Sequence, residues 1–138
     1  MVRINLISPE RLTDQHLIAE YNEILMLIGH IKKHPKINSQ PKEYCLRKGH
    51  INFFKNKIKY LKNRHELIKK EMKKRKFQTN KTIKLSQFKK EQKNNWKPKT
   101  KDFAIIEKRI TSRIKQKPNY YRYYGKNKPA EFLINLLK

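Results

Sequence analysis

The chain has 138 residues, with 36 Lys+Arg against 11 Asp+Glu and a formal net charge of +25 at pH 7. That length suits one domain, residues 1–138, around one core, and the charge points to a polyanionic partner. No run of about 18 apolar residues could span a bilayer, and the start Met1-Val2-Arg3-Ile4-Asn5 lacks the apolar core of a secretory signal. The expected setting is therefore intracellular, cytoplasmic and nucleic-acid-associated, with no membrane role.

The excess charge is uneven: residues 1–50 hold 8 basic and 5 acidic side chains, residues 51–138 hold 28 and 6. Carboxylate chemistry, if present, belongs to the first part, and the basic binding surface to the second. The single cysteine, Cys45, can form no internal disulfide and has no thiol partner for a metal.

Residues 2–7 alternate polar and apolar like a strand, but a lone strand has nothing to pair with, so the segment reads as an extended arm laid across helices. Thr13 or Asp14 can cap a first helix, in which Leu17, Ile18, Tyr21, Ile24, Leu25, Ile28 and Ile31 recur at helical steps until His34-Pro35. Gly49 opens a second helix with Ile51, Phe54, Ile58, Leu61, His65, Ile68 and Met72 on one seam, His65 reading as a core histidine. Residues 76–100 read as a long, partly mobile connection touching the core through Ile83, Leu85, Phe88 and Trp96. Thr100 or Asp102 can cap a third helix with Phe103, Ile106, Ile110 and Ile114 inward and Arg109 and Arg113 on the opposite side, stopped by Pro118. A Tyr-rich segment, Asn119 to Lys126, follows, and Pro129 can start a short last helix. The expected fold is all-α, a compact single domain of three main helices with a threaded amino-terminal arm and a Tyr-rich carboxy-terminal segment.

No phosphate-binding glycine loop, metal-ligand spacing or serine nucleophile turn is present, so no cofactor and no metal are expected. Glu20 and Glu23 are notable because a carboxylate near a DNA surface repels phosphate. Each is read either as a salt-bridge partner or as a group that assists proton transfer and stabilises a developing cation. In Tyr120-Tyr121-Arg122-Tyr123-Tyr124-Gly125-Lys126, aromatic faces alternate with positive charge, a pattern suited to base stacking, to filling the core, or to both.

Three blocks carry a resemblance: Arg3-Ile4-Asn5-Leu6 with Asp14-Gln15-His16-Leu17-x-Ala19-Glu20-Tyr21-x-Glu23; Gly49-His50-Ile51-x-Phe53-Phe54 with Leu61-Lys62-x-Arg64; and Lys117-Pro118-x-Tyr120-Tyr121-Arg122-Tyr123-Tyr124-Gly125-Lys126. In that order they resemble the pyrimidine-dimer DNA glycosylases, the phage endonuclease V family. The resemblance implies a helical fold whose arm threads between helices, bringing the amino terminus to the active site. It also implies a glycosylase with AP-lyase activity that acts as a monomer on damaged double-stranded DNA.

After loss of Met1, the α-amine of Val2 would attack the sugar of the damaged nucleotide and form an imine, with Glu23 assisting and β-elimination cutting the strand. Arg3, Gln15, His16, Arg109, Arg113, Lys117, Tyr120, Tyr121, Arg122, Tyr124 and Lys126 would hold DNA. Asn22 and Met26 stand where the family pattern has arginines. An α-amine, with a reference pKa of about 7.7–8.0 against about 10.4 for lysine, suits the nucleophile's part, and Arg3 beside it lowers that pKa further. The alternative is an inactive descendant that binds DNA or RNA as a structural protein.

Overall fold

The computed structural model describes residues 3–37 and 39–138. Among these residues five α-helices, three short 3-10 turns and one two-stranded hairpin enclose an apolar core: α1 (Asp14–Lys33), α2 (His50–Phe54), α3 (Ile58–Lys74), α4 (Thr100–Gln116), β1 (Arg122–Tyr123), β2 (Lys126–Asn127) and α5 (Ala130–Leu136). Three of the helices are long and the fold is mostly helical, so the all-α expectation holds. Among the described residues no helix is long and apolar enough to cross a membrane.

The cap of α1 is Thr13, whose Oγ1 accepts the His16 backbone N–H at 3.1 Å. Leu17, Tyr21, Ile24, Leu27, Ile28 and Ile31 then face inward, chiefly onto α3. The arm lies across this pair with Ile4, Asn5, Leu6 and Ile7 buried. Its one left-handed residue, Leu6 at φ 60°, follows from a tight turn in which Ile7 N–H donates to Asn5 O at 2.5 Å. Arg64 holds that turn by donating from Nη1 to Leu6 O at 3.1 Å. Val2, the first residue of the expected arm, lies outside the described residues.

The second helix of the sequence reading is two helices. The seam from Ile51 to Met72 continues across both, but the backbone ladder breaks at 55–57. Gln40 Nε2 donates to Asn52 O at 3.1 Å and to Phe53 O at 3.0 Å, and Lys57 Nζ donates to Phe53 O at 2.8 Å, so these carbonyls are already engaged. Lys57 N–H turns instead to Phe54 O at 3.0 Å. His65 is in the core as expected, stacked on Tyr21 with centroids 4.6 Å apart, and neither ring nitrogen makes a well-formed hydrogen bond among the described residues. Burial pushes its pKa down to about 4, which keeps it neutral.

The connection 76–100 touches down at the residues named from sequence: Ile83 and Phe88 are buried, Leu85 is packed against the core, and Trp96 meets Tyr44, Phe53, Phe54 and Tyr60. The α4 cap is Lys99 rather than Thr100 or Asp102; Asp102 turns its carboxylate back to accept Lys99 N–H at 2.8 Å. Asp102 thereby takes the inward place in the first turn, and Phe103 is left 38% exposed instead of joining Ile106, Ile110 and Ile114. The Tyr-rich segment folds into the hairpin, with Tyr124 and Gly125 both at positive φ, as a tight two-residue turn requires. Asp14 stabilises this turn by accepting Tyr124 N–H at 3.1 Å and Gly125 N–H at 2.7 Å.

Candidate active site

With α3 on one side of α1, the outward face of that helix carries His16, Ala19 and Glu23 at steps of three and four. The arm brings Arg3 and Asn5 alongside, α4 contributes Arg109 and Arg113 one turn apart, and the chain after α4 adds Tyr120 and Tyr121. Together with Gln15, His16 and Ala19 they line a cleft of about 200 Å³. Seven of the residues expected to hold DNA therefore converge from four parts of the chain: Arg3, Gln15, His16, Arg109, Arg113, Tyr120 and Tyr121. Asn5 and Ala19 were not anticipated. Both lie within the arm and helix blocks but carry no charge or ring to mark them.

Gln15 works as a strut: its Nε2 donates to Tyr120 O at 2.9 Å, and its Oε1 accepts Arg122 N–H at 2.9 Å. His16 stacks on Tyr121 at 4.8 Å and 11°, and its Nδ1 pairs with Thr13 Oγ1 at 2.7 Å. Burial, then Arg109 and Arg113, push the His16 pKa down to about 4, so the ring is neutral at physiological pH. Burial followed by Arg113 and Arg3 lowers the pKa of Arg109. Three guanidinium groups are thus gathered at one cleft, an arrangement that suits an anion. Burial also raises the Tyr121 pKa, so its phenol stays protonated.

Glu20 and Glu23 have separate fates. Glu20 is fully buried, accepting from Arg64 Nε at 2.7 Å and Nη2 at 3.0 Å, which is the salt-bridge reading. Glu23 is half-buried on the cleft face of α1, and among the described residues its carboxylate has no ion pair. Its pKa is raised because burial outweighs the attraction of Arg3. Asn22 and Met26 flank it on α1, both exposed, Met26 at 69%.

Tyr124 belongs to another cluster. Its hydroxyl donates to Glu71 Oε2 at 2.7 Å, and its ring lies 4.7 Å from the Arg75 guanidinium, which bonds Asp14 at 2.9 Å and Glu71 at 2.9 Å. This buried arginine sits in a lysine-rich stretch where sequence offers no sign of its inward turn. Arg122 and Lys126 are exposed on the hairpin, and Lys117 lies over the Tyr120 ring at 5.0 Å. These four do not line the cleft. A larger open groove of about 730 Å³ between α4 and α5 gathers none of the expected site residues. Among the described residues no three His, Cys, Asp or Glu side chains form a group that could hold a metal.

The cleft is cationic and aromatic-walled, with Glu23 on the same face of α1, and its lining suits a phosphate-bearing ligand with stackable rings. Residues 1–85 match the family model described as pyrimidine dimer DNA glycosylase, and the chain belongs to that family. At that level it is a DNA-repair glycosylase, an enzyme that binds DNA. The matched span contains the arm, α1 and α3, while Arg109, Arg113 and the Tyr-rich segment lie beyond it.

Proposed function

We propose that the chain is a bifunctional DNA glycosylase and AP lyase, acting as a monomer on ultraviolet-induced pyrimidine dimers in duplex DNA. The α-amine of Val2, exposed by loss of Met1, attacks C1′ of the damaged nucleotide. The N-glycosidic bond breaks, its electron pair leaves with the base, and the amine sheds a proton. Opening of the sugar ring gives a protonated imine; loss of a C2′ proton then expels the 3′ phosphate, which cuts the strand, and water releases the enzyme.

Glu23 is the catalytic carboxylate. Ionised, it stabilises the cationic sugar and imine, and its raised pKa suits it to exchanging protons in these steps. Arg3, Arg109 and Arg113 hold phosphate, His16 and Tyr121 present a flat neutral wall, and Tyr120 offers an exposed ring for stacking. Gln15 braces that wall. Lys117, Arg122 and Lys126 follow the backbone outside the cleft, and Tyr124 acts through the hairpin. A dimer weakens local stacking, so kinking the duplex to reach the sugar costs less there than in intact DNA.

The observation that carries this reading is Glu23. The buried carboxylates Asp14, Glu20, Glu71 and Asp102 are all engaged, whereas Glu23, near Arg3 on the cleft face of α1, has no ion pair among the described residues. The test is borohydride reduction on a dimer-containing duplex and on an abasic one. A covalent complex linked through the Val2 amine is expected with both, and none after selective blocking of the amino terminus. A native intact mass that retains Met1, or trapping only at lysines, contradicts the proposal.

A further inference from the structure

The segment from Tyr44 to His50, which leads into α2, passes over the arm and grips it three times. Tyr44 Oη donates to Ile4 O at 2.8 Å, His50 Nε2 accepts Ile4 N–H at 3.2 Å, and Leu46 O accepts from Arg3 Nε at 2.6 Å. Both backbone polar groups of Ile4 are therefore spoken for by side chains of one strap, in a fully buried setting. His50 can accept at Nε2 only with its proton on Nδ1, and Nδ1–H donates to Cys45 O at 2.7 Å, which selects that tautomer. Burial pushes the His50 pKa down to about 4 and so keeps the accepting form at neutral pH.

The strap can fold back this tightly because residue 49 is glycine. A Cβ there would stand 2.3 Å from Pro41 Cγ and 3.3 Å from Cys45 Sγ, pushing away the carbonyl that orients the histidine.

We propose that His50, seconded by Tyr44, is a positioning residue for the amino-terminal nucleophile. It fixes the register of the arm at Ile4, two residues after Val2. This rests on the reading of the Val2 amine as nucleophile. A one-residue slip of an extended arm displaces its end by about 3.3 Å, and a misplacement of about 1 Å can cost roughly 100-fold in rate. Neither side chain lines the cleft, and both lie close enough to Arg109 to feel its charge, so DNA affinity is measured beside the rate.

The experiment is single-turnover borohydride trapping on an abasic duplex by the parent, H50A, H50Q and Y44F, with Kd for the same duplex and Tm measured in parallel. H50A is expected to slow trapping at least tenfold with Kd within twofold of the parent, and Y44F to act in the same direction by less. H50Q should recover part of the rate, since its amide oxygen can accept from Ile4 N–H while its N–H donates to Cys45 O. If H50A does not fold, Y44F carries the test, and a parental rate in it overturns the proposal. So does trapping that falls only in proportion to DNA affinity. If the parent itself forms no trapped complex, the nucleophile reading fails separately. Hydrogen exchange at the Ile4 amide then decides the strap: faster exchange in H50Q than in the parent supports it, and equal exchange overturns it.

Discussion

The two faces of α1 treat the same residue type in opposite ways. On the face toward α3, Glu20 is fully buried and clasped by both arms of the Arg64 guanidinium, which also holds Leu6 O of the arm. On the cleft face, three residues further on, Glu23 is partly buried with no ion pair among the described residues, and burial raises its pKa. A carboxylate that is desolvated and partnered is a fastener. One that is desolvated and left without a counter-ion at close range remains available to answer a charge that arrives with the substrate.

The comparison can be broken first on the fastening side. Glu20→Ala strands the buried Arg64 charge and should cost about 3–5 kcal/mol of unfolding free energy, read from denaturant midpoints. Protein that remains folded should still bind DNA, because Glu20 does not reach the cleft. A loss of binding with unchanged stability would show that the two faces are not separate.

Next in size is the response to acid. His50 and His65 are buried and neutral, with folded pKa values of about 4 against an ordinary value near 6.5. The unfolded chain therefore binds more protons between those limits, so stability is full above about pH 6.5 and is lost as pH falls toward 4. One such histidine accounts for on the order of 3 kcal/mol across the window. Replacing His65 by Phe should flatten the part of the slope that is its own, measured as unfolding free energy at pH 7 and pH 4.5. An unchanged slope would place the titration elsewhere.

Smaller effects sharpen the cleft side. Arg113→Ala should weaken binding to any duplex and reduce the slope of log affinity against log salt by about 1, as expected for one lost phosphate contact. An unchanged slope removes Arg113 from the phosphate seat. Smallest is Tyr124→Phe, which deletes only the hydroxyl donated to Glu71 and should cost about 1 kcal/mol of stability. Cleavage per folded molecule should be unaffected; a large loss there would return Tyr124 to direct contact with DNA.

The long helices and the arm were legible because they follow a period. The apolar repeats of α1, α3 and α4 continue for four or more turns, and a six-residue alternation with no partner strand can only be an arm. The break between α2 and α3 was invisible because the seam from Ile51 to Met72 runs straight through it. What interrupts the ladder is Gln40, from a distant loop, together with the side chain of Lys57. The hairpin was hidden for a related reason. Tyr124 adopts a positive φ that tyrosine rarely chooses, held there by Asp14 more than a hundred residues earlier in the chain.

At the site, charged and aromatic residues announced themselves, and the chain motifs put the arm, α1 and the tyrosines in order. The residue pattern of α1 by itself does not separate Glu20 from Glu23, which only the family resemblance does, since their difference lies in Arg64, brought to Glu20 by the fold.

Glu23→Gln tests the central claim most directly, assayed as single-turnover cleavage of a dimer-containing duplex beside the parent, at equal folded fraction and saturating DNA. The expected result is a fall of roughly 100- to 10,000-fold, the usual range for losing a positioned acid–base group, with DNA affinity retained. Cleavage at the parental rate would contradict that role, because the Glu23 carboxylate on the cleft face would then have no part in the chemistry.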